Sequence, residues 1–128
     1  MDPSFRRLFT AEEANALLDD LRPMLGAILR YRARIVELQP ALAPVLEKML
    51  GNGGNRVASE LLETFERLRA SVRAVEAMGV LIKDLETGLV DFPSRRGDEI
   101  VFLCWRFGES SVAHWHRLDA GFAGRQPV

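Results

Sequence analysis

Between Ala14 and Met49 the apolar residues keep a seven-residue beat. Ala14, Leu21, Ile28, Ile35, Leu42 and Met49 fall seven apart, and Leu17, Met24, Tyr31, Leu38 and Val45 follow three after each of the first five. An α-helix turns once per 3.6 residues, so this spacing lays one apolar seam along a helix. It excludes a strand, whose side chains alternate with period two. Leu18 and Leu25 widen the seam near its start, which suits burial against more than one neighbour. A capping box opens it: the Thr10 hydroxyl can accept from the Glu13 amide while the Glu13 side chain reaches back. Pro23 removes a backbone donor inside the pattern, so a kink or restart is expected there. Pro40 and Pro44 are expected to break off a second segment near 41–50.

Residues 51–55, Gly-Asn-Gly-Gly-Asn, cannot hold a helix and predict a loop. Helix resumes near Arg56, where Ala58, Phe65 and Val72 interleave with Leu61, Leu68 and Val75, and Gly79 ends it. Glu63 and Arg67 stand at i,i+4 on the outer side. Two seams joined by a glycine loop predict an antiparallel helical hairpin over 10–78.

From Val80 the period changes to two. Residues 80–85 and 89–92 flank Glu86-Thr87-Gly88, a three-residue loop whose last glycine suits a left-handed position. That register sets Lys83 opposite Asp91. Pro93 is expected to end the second strand, residues 94–98 to form a polar turn, and 99–107 a third strand. In the third strand Ile100, Phe102 and Cys104 point one way, and Val101, Leu103, Trp105 and Phe107 the other. Both faces are apolar and need cover. One helical hairpin covers one of them, so either the C-terminal segment 108–128 or a second subunit covers the other. A homodimer is the expectation. The predicted fold class is α+β: one domain over 1–128, a long antiparallel helical hairpin on a small antiparallel sheet of about three strands.

Composition narrows the partners. With 17 basic and 18 acidic residues the formal charge is −1, without the concentrated positive charge of a nucleic-acid binder. No apolar run reaches the length of a membrane span, and the first residues lack a signal peptide's apolar core. A lone cysteine forbids an intrachain disulfide and fits a reducing compartment, so a cytoplasmic protein is expected.

The rarer chemistry is crowded into residues 104–116, CWRFGESSVAHWH, which hold the only cysteine, both tryptophans and both histidines. If 112–118 is extended, His114 and His116 share a face and could bind one metal ion; if it is helical they diverge. Cys104, Glu109 and Asp119 are further ligands by type. Zinc would take the imidazoles and thiolate, a harder ion the carboxylates. The spacing matches no established metal motif. The stronger reading makes Trp105 and Trp115 core anchors, with the histidines capping that core by one polar edge each. Cys104 as a nucleophile needs a base, which His116 could supply, but an apolar strand predicts an inert buried thiol. The glycines lack the strand-to-helix setting of a phosphate loop. Arg125 has the fork that binds a carboxylate or phosphate.

The stretch GVLIKDLETGLVDFP, followed by LCW, GE, WH and GFAGR, resembles a prokaryotic family known as domain of unknown function 2203. FTAEEANALL and LRPML resemble that family's opening, so the likeness spans essentially the whole chain. It implies signature positions at Lys83, Asp84, Gly88, Asp91, Phe92, Cys104, Trp105, Gly108, Glu109, Trp115, His116, Gly121, Gly124 and Arg125. It implies no activity. His114 is not among them, which favours Glu109 with His116 over a two-histidine site.

Two functions follow as expectations. The leading one is a non-catalytic binding or assembly module acting as a homodimer, with a protein partner, no nucleic acid and no membrane. The alternative is a metal-dependent or acid–base enzyme of hydrolase type. Its catalytic candidates are Glu109 and His116, and its ligand-binding candidates are Lys83, Asp91, Trp105, Trp115 and Arg125. Its cofactor would be a divalent metal held among His114, His116, Glu109 and Cys104.

Overall fold

The computed structural model describes residues 5–41, 44 and 56–128. Thr10 caps the first helix as its spacing predicts. Its hydroxyl accepts from the Glu13 amide at 3.0 Å, and the Glu13 carboxylate accepts from the Thr10 amide at 2.9 Å. Helix α1 then runs over Ala11–Leu38, 28 residues, without a restart at Pro23. Pro23 is exposed, as is Asp19 one turn back. The carbonyl that loses its helical donor therefore has water available, and packing elsewhere on the helix carries it through. Pro40 does coincide with a break, a 3-10 turn at Gln39–Ala41. The segment expected at 41–50 and the loop at 51–55 lie outside the described residues, Ala41 and Pro44 excepted.

Burial corrects the seam. Ala14, Leu21, Ile28, Ile35 and Leu38 are buried as expected, and Leu18 and Leu25 widen the stripe as expected, but Leu17, Met24 and Tyr31 are only half-buried. The helix faces two neighbours at once, and their joint direction shifts the buried stripe by one position. Helix α2, Arg56–Ala77, buries Leu61, Thr64 and Val75. Its first turns meet the last turns of α1: Leu61 packs with Ile35 and Leu38, and Glu60 takes both arms of Arg34. The two helices thus run in opposite directions. Phe65, expected in the seam, is 47% exposed.

Among the described residues the sheet has five strands rather than about three. They form an antiparallel meander in chain order: β1 Leu81–Asp84, β2 Leu89–Arg96, β3 Glu99–Arg106, β4 His114–Arg117 and β5 Gln126–Pro127. The last two strands are short, four residues and two, and too brief to show a period. Gly88 takes the left-handed conformation its place predicts, φ 72°, but the turn carries a register shift. Asp91 therefore pairs with Leu81 rather than Lys83. β2 also runs through Pro93 to a tight turn at Gly97-Asp98. Pro93 is tolerated because β1 begins only at Leu81, opposite Asp91, so no ladder donor is needed beside the ring. The Phe9 amide bonds the Pro93 carbonyl on that side at 2.7 Å.

The core lies between the helices and one sheet face. Phe9, Leu18, Leu21, Leu25 and Ile28 join Val75, Val90, Phe92, Leu103 and Trp105 in one buried cluster. Asn15 ties α1 to the segment before β4. Its side chain accepts from the Val112 amide at 2.7 Å and donates to the Val112 carbonyl at 3.2 Å. Among the described residues no helix is long and apolar enough to cross a membrane.

Candidate functional site

The sheet's other face carries the polar groups. Strand alternation sends Asp91 of β2, Cys104 of β3 and both His114 and His116 of β4 to the side away from the helices. Asp91 and Cys104 are direct cross-strand partners; Cys104 pairs in turn with His114, and Phe102 with His116. One ligand atom each from Asp91, Cys104 and His116 lies within 4.8 Å of the others. All three residues are buried, at 2%, 0% and 3% exposure. Phe5 stands edge-on to Phe102 beside them, and the Lys83 ammonium lies 4.6 Å from the Phe102 ring centre. Arg125 from the tail reaches the Cys104 carbonyl at 3.2 Å. At these positions the chain itself covers the second sheet face.

His116 is held at both nitrogens. Nδ1 lies 2.8 Å from the Arg117 carbonyl oxygen, and Nε2 lies 3.0 Å from Asp91 Oδ1. A carbonyl can only accept, so Nδ1 carries a hydrogen and Nε2 faces the carboxyl. Burial pushes the Asp91 carboxyl above its ordinary value, against the pull of His116 and Lys83. The Cys104 thiol is pushed up to about 12, first by burial and then by the Asp91 charge. It is not a nucleophile in this state.

Glu109 does not join this cluster. Its carboxylate takes both arms of Arg125, at 2.7 and 2.9 Å, and the Arg106 amide at 2.7 Å. Burial alone would raise its carboxyl, but these bonds win and hold it below the usual range. Arg125 also stacks on Phe122, 4.5 Å from the ring centre. Trp105 donates its indole N–H to the Glu109 carbonyl at 3.0 Å, and both tryptophans belong to the core on the helix side. Asp119 is exposed. Residues 114–117 are extended, so the histidines do share a face, yet only His116 enters the three-residue cluster. His114 is half-buried, and its Nδ1 is buried with no hydrogen-bond partner.

Asp91, expected opposite Lys83 and among the ligand-binding candidates, pairs instead with Leu81 and Cys104 and meets His116. Its signal was present: a lone acid between Val90 and Phe92 in an otherwise apolar strand end. The pairing of β2 with β3, which no spacing reveals, set Asp91 beside Cys104 and within reach of His116.

A second feature lies on α2. Leu62 is 62% exposed and Phe65 47%, and with Leu68, Val72 and Leu85 they line an apolar groove of about 570 Å³. Glu66, Arg69, Arg73 and Glu76 edge it with both signs of charge.

No curated protein and no solved structure matches the chain. Residues 7–128 match the model of a family described as an uncharacterized conserved protein, DUF2203, and the chain belongs to that family.

Proposed function

We propose that this domain is a non-catalytic assembly module that works as a homodimer in a reducing, cytoplasmic setting. In this reading the second copy docks on the outer face of α2. The observation that carries it is the pair Leu62 and Phe65, large apolar side chains three residues apart, left exposed beside Val72 and Leu85. The groove also complements itself. A copy laid antiparallel, with a twofold axis between Arg69 and Ala70, sets each Glu66 opposite the other copy's Arg73. Every candidate for catalysis is meanwhile engaged within its own chain: Glu109 by Arg125, His116 by Asp91 and the Arg117 carbonyl, and Cys104 as a protonated thiol.

Light scattering on a size-exclusion column tests the proposal. The protein should elute as a dimer at micromolar concentration. Phe65→Glu should give a monomer with an unchanged circular dichroism spectrum. Glu66→Arg should weaken the dimer, and adding Arg73→Glu should restore it. A wild-type monomer at about 100 µM, far above the Kd of a specific dimer, would sink the idea. A dimer indifferent to Phe65→Glu would sink this interface.

A further inference from the structure

The geometry points to a binding site for one divalent transition-metal ion of the zinc class, formed by Asp91, Cys104 and His116. Three adjacent strands bring a carboxylate, a thiol and an imidazole to one buried spot, with ligand atoms within 4.8 Å of one another.

The histidine tautomer supplies the first argument. Nδ1–H donates to the Arg117 carbonyl, the outer-shell bond that orients a metal-binding imidazole and leaves Nε2 free to coordinate. Nε2 and Asp91 Oδ1 then face each other at 3.0 Å, two acceptors with a positive centre required between them. A proton satisfies that need, and so does a metal ion. Bonds of roughly 2.0–2.1 Å at a tetrahedral angle separate two such ligands by about 3.3 Å, so the pair must open by only a few tenths of an ångström.

Charge supplies the second. A dication bound to one thiolate, one carboxylate and one neutral imidazole is electrically neutral, which suits a site this deeply buried. The burial and the Asp91 charge that hold Cys104 protonated are both overcome once a dication is the nearest charge. The exchange balances: the metal enters, and the thiol proton and the proton shared by Asp91 and His116 leave, about two per ion.

Donor chemistry sets the metal class. Thiolate and imidazole select zinc, or cobalt as its probe, over magnesium and calcium. Three side chains leave a fourth position. His114, the cross-strand partner of Cys104 with an unpartnered buried Nδ1, offers a donor from the same face.

The test uses the whole chain, purified without affinity tag or chelator. Elemental analysis, then titration with zinc and cobalt chlorides in weakly buffered solution, should find one ion per chain. Cobalt should show a thiolate charge-transfer band and tetrahedral visible bands, and zinc should release about two protons. Cys104→Ser, the mildest change to the buried cluster, should abolish the charge-transfer band while circular dichroism is retained. Asp91→Asn should weaken zinc by more than the roughly 10–100-fold of an outer-shell change. A protein that takes up no zinc or cobalt overturns the proposal, leaving a proton as the cation between Asp91 and His116. Equal binding by wild type and Cys104→Ser, with identical cobalt spectra, overturns it too.

Discussion

Replacing Arg125 with alanine separates a structural role for the tail from a ligand-binding one. The substitution removes two charge-assisted bonds to Glu109, one to the Cys104 carbonyl, and the stacking on Phe122. The side chains of Arg125 and Glu109 are 11% and 23% exposed, so water recovers only part of the loss. Breaking a fully buried pair costs about 3–5 kcal/mol. Glu109 keeps its bond from the Arg106 amide and regains some hydration, which places this case near the lower end, about 3 kcal/mol. In a chain of 128 residues that lowers Tm by roughly 10 °C. Urea melts of wild type, Arg125→Ala, Glu109→Ala and the double variant form a cycle, and the coupling should be about 2 kcal/mol. A loss below about 1 kcal/mol, or strictly additive singles, would refute the reasoning and leave Arg125 free to hold an anionic ligand.

Two further outcomes follow from the same structure. Gly88 and Gly97 both sit at positive φ, 72° and 63°, but a Cβ at Gly88 would lie 2.7 Å from the Phe107 Cβ while one at Gly97 meets nothing within 4 Å. Gly97→Ala should therefore cost about 1 kcal/mol of backbone strain and Gly88→Ala at least about 1 kcal/mol more, read as Tm differences; equal costs would contradict the close approach. The Glu109 carboxyl is held below its ordinary value in the folded chain, so its stabilisation is whole above the unfolded value of about 4.3 and is lost as pH falls through the folded one. Wild type should thus lose stability more steeply than Glu109→Gln in acid urea melts, and parallel curves would count against the pair.

The helices were readable because a local rule writes them. Thr10 and Glu13 specify their own cap, and a seven-residue beat leaves one face to bury. That rule could not say which edge of the face would win. Leu18 outranked Leu17, and Leu61 outranked Phe65, because the direction of burial is set by neighbours far along the chain. Pro93 shows the same limit from the other side. Its ring forbids a ladder bond, but whether a ladder bond is wanted there depends on where β1 begins.

The chemistry-bearing block was legible as a list of residues and not as a site. Cys104 and His116 were visible candidates; Asp91 joined them only when β2, β3 and β4 lined up. Glu109 left the list when a residue sixteen positions later in the chain reached it. What the sequence by itself determined was periodicity, and so the α+β order, the capped first helix and the two-faced third strand. The tertiary structure alone decided strand count, register and which ligand-type groups meet. Those depend on contacts between residues distant in sequence, where a one-residue slip turns every side chain of a strand to the opposite face.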